Sequence, residues 1–166
     1  MGSFLGWLWC FSRIFVRSSS GSKRFNVMGA MCATTHKLTT VCNTEYIKAL
    51  SVCELLHKIL QELKDSVQVT LVLDNAKYQK CKLVWSTAQA LGIELLYLPP
   101  YSPNLNLIER FWKFTKKKVL YSRYYETFVD FQNAITDLLD NAAGRHADEL
   151  QTLLTLKFQT FENLKS

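Results

Sequence analysis

The first 44 residues contain no aspartate or glutamate, and Glu45 is the first acidic side chain. That stretch carries Arg13, Arg17, Lys23, Arg24 and Lys37 instead, which excludes carboxylate chemistry from it. Glycine and proline are scarce, six and three, so collagen-like repeats and Pro/Gly-rich linkers are excluded. The five cysteines, Cys10, Cys32, Cys42, Cys53 and Cys81, are odd in number and form no C-x-x-C pair. Neither a disulfide framework nor a zinc ribbon is indicated, and reduced thiols in a cytoplasmic protein are the expectation. No apolar run reaches the roughly 18 residues of a membrane span. The N-terminal MGSFLGWLWCFSRIF has no basic residue ahead of its apolar run and no small-residue cleavage pattern, which argues against a signal peptide. Gly6 stands where a myristoylation motif needs Ser or Thr, so no membrane partner is expected. There is no Gly-rich phosphate loop and no G-x-S-x-G elbow, which disfavours nucleotide-binding and α/β-hydrolase folds and a small-molecule substrate.

What is present is a chain of 166 residues, 48% hydrophobic, 13% aromatic and 20% charged, the make-up of one globular domain. Twenty Lys and Arg against fourteen Asp and Glu give net +6, a balance that favours a polyanionic partner. Residues 4–16 are aromatic-rich and strand-like, and Ser18-Ser19-Ser20-Gly21-Ser22 marks a turn. Two further strands are read at 25–34 and 38–42, joined by a polar turn at His36 and Lys37. Thr44 can cap a helix whose apolar face is Val52, Leu55, Leu56, Ile59, Leu60 and Leu63.

The run VQVTLVL at 67–73 is nearly all apolar, as expected of a strand buried on both faces of a parallel sheet. Cys81, Val84, Ala88 and Leu91 then recur at helical spacing, Gly92 suits the C′ position, and 93–98 reads as another strand. Strand, helix and strand make a βαβ unit. Pro99-Pro100-Tyr101-Ser102-Pro103 stops that strand and a helix begins near Asn106. Phe128, Phe131, Ile135 and Leu138 mark a further helix, and after a break at Gly144 the residues Leu150, Leu153, Leu154, Phe158 and Phe161 mark a last one.

Asp74 and Glu109 are the chemical candidates. Asp74 leaves the carboxyl end of a buried strand, the edge where α/β sheets bind ligands. Glu109 falls in the first turn of the helix after the next strand, so both carboxylates can reach one end of the sheet. Converging carboxylates hold hard cations such as Mg²⁺ or Mn²⁺, which suits phosphodiester chemistry. Each residue also has a local structural explanation. Asp74-Asn75 can form an Asx turn, and Asn106-x-x-Glu109 matches a capping box.

The run LVLDNAKYQK followed by IELLYLPPYSPNLNLIERFWKFTKKK resembles the catalytic domain of DDE-superfamily transposases of mariner type and their bacterial insertion-sequence relatives. The matching positions are Asp74-Asn75-Ala76, Leu98-Pro99-Pro100-Tyr101-Ser102-Pro103, Leu105-Asn106, Glu109 and Trp112, and 34 residues, 75 to 108, separate the two acids. The match is clear over about residues 68–120, and weaker similarity, including RFNVMGAMCATTHKLTTV, extends it over most of 1–143. The resemblance implies an α/β, ribonuclease H-like mixed sheet flanked by helices. It implies a catalytic unit at 1–143 and a helical segment at 144–166. Asp74 and Glu109 would be the second and third ligands of Mg²⁺ or Mn²⁺. The first acid belongs on the first, central strand of that fold, so both the strand and its Asp are expected to be missing, as is the helix-turn-helix region, and the chain reads as N-terminally truncated. Asn75, Asn106 and Gln79 lie beside the site by the same likeness, with Gln79 where many relatives place His.

Arg110, Lys113, Lys116, Lys117, Lys118 and Arg123 follow Glu109 with no acid until Glu126. This run reads as a DNA-contacting helix that grips phosphates without reading sequence, or else as a solvated face with a Glu109–Lys113 pair. Trp112 reads as a core residue, and no metal role is expected of His36, His57 or His146. The resemblance thus implies a bacterial cytoplasmic transposase domain, nucleoid-associated when bound to the ends of its element and to target DNA, with no strand transfer of its own. It would form a homo-oligomer or a mixed oligomer with an intact transposase. The other readings are a non-catalytic DNA-binding or interfering fragment, and a decayed remnant without function.

Overall fold

The structure is a computed structural model describing residues 23–63, 67–100, 105–121 and 123–155. The expected strand at 4–16, the serine-rich turn, positions 101–104 of the proline-rich motif, Phe158 and Phe161 lie outside those residues. Strand β1 (Asn26–Met31) pairs antiparallel with β2 (Leu38–Asn43), in register from Asn26 opposite Asn43 to Met31 opposite Leu38. The connection closes with Cys32 N–H donating to the Lys37 carbonyl, and His36 adopts φ 56°. β1 therefore stops at Met31, short of the expected Thr34, because the chain has already turned.

Helix α1 (Ala49–Glu62) begins after Lys48, whose N–H donates to Ser51 Oγ at 3.4 Å. The expected cap at Thr44 is not used. Asn26 donates its side-chain amide to the Glu45 carbonyl and holds that connection against β1, so the helix starts later. Val52, Leu55 and Leu56 are buried as the periodicity predicts, and Leu63 is left at the exposed end.

Next comes the βαβ unit: β3 (Val69–Leu73), a 3-10 turn (Lys77–Gln79), α2 (Lys82–Ala90) and β4 (Ile93–Tyr97). The strands are parallel, Val69 opposite Ile93 through Leu73 opposite Tyr97. Gly92 supplies the left-handed C′ residue of α2 at φ 67°. One expectation fails here. Among the described residues β3 is covered on one face only, since Val72 is 42% and Leu96 52% exposed. The apolar run predicted cover on both faces, but the described helices α1 and α2 pack only against the face bearing Val69, Leu71, Ile93 and Leu95.

Among the described residues the two strand pairs form separate two-stranded sheets. Helix α1 spans them: Val52 and Leu56 share one cluster with Met28 of β1 and with Val69 and Leu71 of β3. A second core gathers Phe111 and Phe114 of α3 (Leu107–Thr115), Val119 and Leu120 of the π-helical turn Lys116–Leu120, five apolar side chains of α4 (Phe128–Arg145), and Leu150 and Leu154 at α5 (Ala147–Leu153). Thr127 and Asp130 build the capping box that starts α4. That helix runs through Gly144 and breaks at His146. A single glycine costs a helix only about 1 kcal/mol, which the buried Leu139 and Ala142 of the same helix offset.

Candidate active site

Asp74 emerges at the carboxyl end of β3 and is half-buried. Its Oδ1 accepts a hydrogen bond from Asn106 Nδ2 at 2.8 Å. Asn106 is also the N-cap of α3: its Oδ1 accepts from Ile108 N–H at 3.3 Å, and its carbonyl accepts from Glu109 N–H at 3.2 Å. These hydrogen bonds tie Asp74, at the end of β3, to the first turn of α3, the turn that carries Glu109.

Neither local structural explanation is realised. Asn75 does not open a turn with its side chain; it donates to the Leu98 carbonyl and ties the end of β3 to the end of β4. The following 3-10 turn has Ala76 at its N-cap and no side-chain cap. Glu109 does not complete a capping box, because α3 is capped by Asn106 alone. Nor does Glu109 pair with Lys113: among the described residues, neither enters an ion pair. Glu109 keeps only the favourable place of an acid in the first turn of its helix.

Two neighbours of Asp74 carried no signal of their own in the sequence. Tyr78, four residues on, has its hydroxyl pushed above its ordinary pKa by burial and then by the Asp74 charge. Tyr97 donates its hydroxyl to the Gln79 carbonyl at 3.0 Å and fixes the 3-10 turn against β4. Gln79 Oε1 is buried without a hydrogen-bond partner among the described residues, so an acceptor is left over beside the 3-10 turn.

The donors at this edge are oxygens, which suits a hard dication. Among the described residues Asn106 is the side-chain partner of Asp74, through Oδ1. Among the described residues no group of three His, Cys, Asp or Glu side chains is placed to hold a metal; the arrangement offers two carboxylates.

The six basic residues after Glu109 divide into two sets. Arg110 Nη1 donates to the Thr155 carbonyl at 2.7 Å and the Leu153 carbonyl at 3.4 Å, at the end of α5. Lys118 pairs with Glu149 at 2.7 Å and lies 5.4 Å from the Phe114 ring centre; its hydrogen bond holds the Glu149 carboxyl below its ordinary pKa. Lys113, Lys116, Lys117 and Arg123 are exposed. The first three fall at i, i+3 and i+4, on one helical face. Trp112 is a core residue, packed beside Phe111 and over Gly29. Among the described residues no helix is long and apolar enough to cross a membrane.

Known proteins resemble this chain in sequence and in fold. The chain is 29% identical over 112 residues to the Sinorhizobium fredii protein y4pE/y4sA, a span of 63% of this chain and 74% of that one. Its fold matches the catalytic core domain of BIV integrase with a TM-score of 0.54 at 18% identity, covering 72% of this chain and 75% of the other. It also matches the Mos1 strand transfer complex, at 0.61 and 16% identity, covering 91% of this chain but only 48% of the Mos1 chain, about half its length. The fold is the ribonuclease H-like mixed α/β architecture of those cores. The model of a DDE superfamily endonuclease matches residues 12–132, well over half the chain, and the chain belongs to that family.

Proposed function

We propose that this chain is the catalytic domain of a DDE transposase in which Asp74 and Glu109 are two arms of a divalent-cation site acting on DNA. The observation that supports the reading is the hydrogen bond to Asp74 from Asn106, the N-cap of the helix that carries Glu109 in its first turn. Asp74 and Glu109 would hold Mg²⁺ or Mn²⁺ by their carboxylate oxygens. When bound, such ions activate a water or a 3′-hydroxyl and stabilise the leaving oxygen of a phosphodiester. Lys113, Lys116, Lys117 and Arg123 would grip the phosphates of element-end and target DNA, a sequence-independent role. The catalytic unit is taken as residues 1–143 and the helical segment 144–166 as its extension, acting in the cytoplasm.

Residues 1–44 hold no carboxylate to serve as the first acid, and two ligands bind a dication more weakly than three. We therefore infer that this chain alone performs no strand transfer. The second reading is a DNA-binding partner that interferes with an intact transposase by forming mixed oligomers; the exposed Lys113, Lys116 and Lys117 favour it, and it needs no metal.

The test is incubation of the 166-residue chain with DNA carrying its element's ends, in Mg²⁺ and in Mn²⁺, beside Asp74→Asn. The reading predicts DNA binding by both proteins and no joined product from either. Robust metal-dependent cleavage that disappears in Asp74→Asn would overturn the inactivity, and absence of DNA binding would overturn the reading.

A further inference from the structure

We propose that Asn106 is the positioning residue of this site, a single amide that starts α3 with its oxygen and aims Asp74 with its nitrogen. The inference rests on the reading of Asp74 and Glu109 as metal ligands and adds what sets one against the other. Capping alone does not call for asparagine, because Asn, Asp and Ser are about equally good N-caps. Among these three only Asn offers an acceptor and a donor on one rigid, planar group. The oxygen serves Ile108 N–H at 3.3 Å and the nitrogen serves Asp74 Oδ1 at 2.8 Å.

The amide cannot be turned over. Its partners are one-sided, a backbone N–H that only donates and a carboxylate that only accepts, so a flip would oppose donor to donor and oxygen to oxygen. The position of the helix start and the rotation of the Asp74 carboxylate are therefore one variable. Moving α3 moves Glu109 through the backbone and Asp74 through the amide. With Oδ1 accepting from Asn106, the rotation of the Asp74 carboxylate is set and Oδ2 stays free of that hydrogen bond. The hydrogen bond also partly replaces water around the half-buried carboxylate when no cation is there.

Partners that orient a ligand commonly change metal affinity about 10- to 100-fold when removed. Two substitutions separate the two roles. Asn106→Ser keeps a good cap but has no group that reaches Asp74, and Asn106→Ala removes both. The test measures Mn²⁺ binding to the full chain by water-proton relaxation, and thermal unfolding of the metal-free proteins, with Asp74→Ala as the reference for loss of a ligand. The expected result is that Asn106→Ser weakens Mn²⁺ binding about tenfold while its Tm stays within about 1 °C of the parent. Asn106→Ala should weaken it equally and lower Tm by about 3 °C.

If Asp74→Ala abolishes binding and Asn106→Ser leaves it unchanged, the positioning role is overturned and the metal reading stands. If Asn106→Ser binds weakly but unfolds as early as Asn106→Ala, the effect belongs to the helix start and the role is again overturned. If Asp74→Ala itself binds Mn²⁺ like the parent, the metal reading falls, and the positioning role with it.

Discussion

Gly29 of β1 lies directly beneath the indole of Trp112 in α3, so that a Cβ at position 29 would sit 3.1 Å from Cζ2 and 3.2 Å from Cη2 of the ring. The tryptophan of the Glu-x-x-Trp motif, with Ile108 Cδ1 at 3.3 Å from the same position, thus seats the Glu109 helix on the β1–β2 hairpin. Phe111 also packs against the ring, edge-on at 5.5 Å between centroids. Gly29→Val should therefore destabilise the chain by about 1–3 kcal/mol, the usual cost of overpacking. Urea unfolding checks this, and a midpoint equal to the parent's would mean that Trp112 moves freely.

Arg110 and its neighbours give opposite predictions although all are basic. Its guanidinium holds the carbonyls of Leu153 and Thr155 where α5 ends, so Arg110→Ala should cost about 1 kcal/mol of stability. The salt dependence of DNA binding should stay as it was. Paired measurements of unfolding and of DNA affinity across a salt series separate the two quantities.

Replacing Lys113, Lys116 and Lys117 together with Gln should do the reverse. Every lysine that grips a phosphate in the parent and is neutralised in the variant should flatten the slope of log affinity against log salt by about 0.9. Stability should hardly change, because all three side chains are exposed. A slope identical to the parent's would place the DNA-binding surface elsewhere.

The thiols supply a pH dependence. Hydrogen bonding from Thr34, with Thr35 helping, lowers the Cys32 pKa from 9.0 to about 7. Burial raises that of Cys42 above 9.0, although Lys58 acts against it. Since the thiolate is the nucleophile, alkylation of Cys32 by iodoacetamide should reach half its limiting rate near pH 7. Cys42 should reach its own only above pH 9. Mass spectrometry after timed quenching reads both sites in one sample, and coincident midpoints would contradict the turn geometry around Cys32.

Much of this fold is legible in the sequence because its signals are local. The 3-4-3 spacing from Cys81 to Leu91 with Gly92 behind it marks α2, and the motif from Leu98 to Trp112 points to Asp74 and Glu109 without any distance. What cannot be read depends on contacts across the chain. Nothing beside Arg110 in sequence points to Thr155, 45 residues on. The bare face of Val72 and Leu96 depends on what packs against it, which an apolar run cannot specify. The dual role of Asn106 is hidden by Glu109, which makes the same four residues look like a capping box. Only the 2.8 Å hydrogen bond to Asp74 separates the two.

The central claim is that Asp74 and Glu109 act together on one cation. Its most direct measurement is Mn²⁺ titration of the full chain beside Asp74→Asn and Glu109→Gln, each also tested for a cooperative thermal transition. The account predicts weak, saturable binding by the parent that disappears in either variant while both remain folded. Equal Mn²⁺ binding by all three proteins would contradict it, as would loss in one variant with full retention in the other.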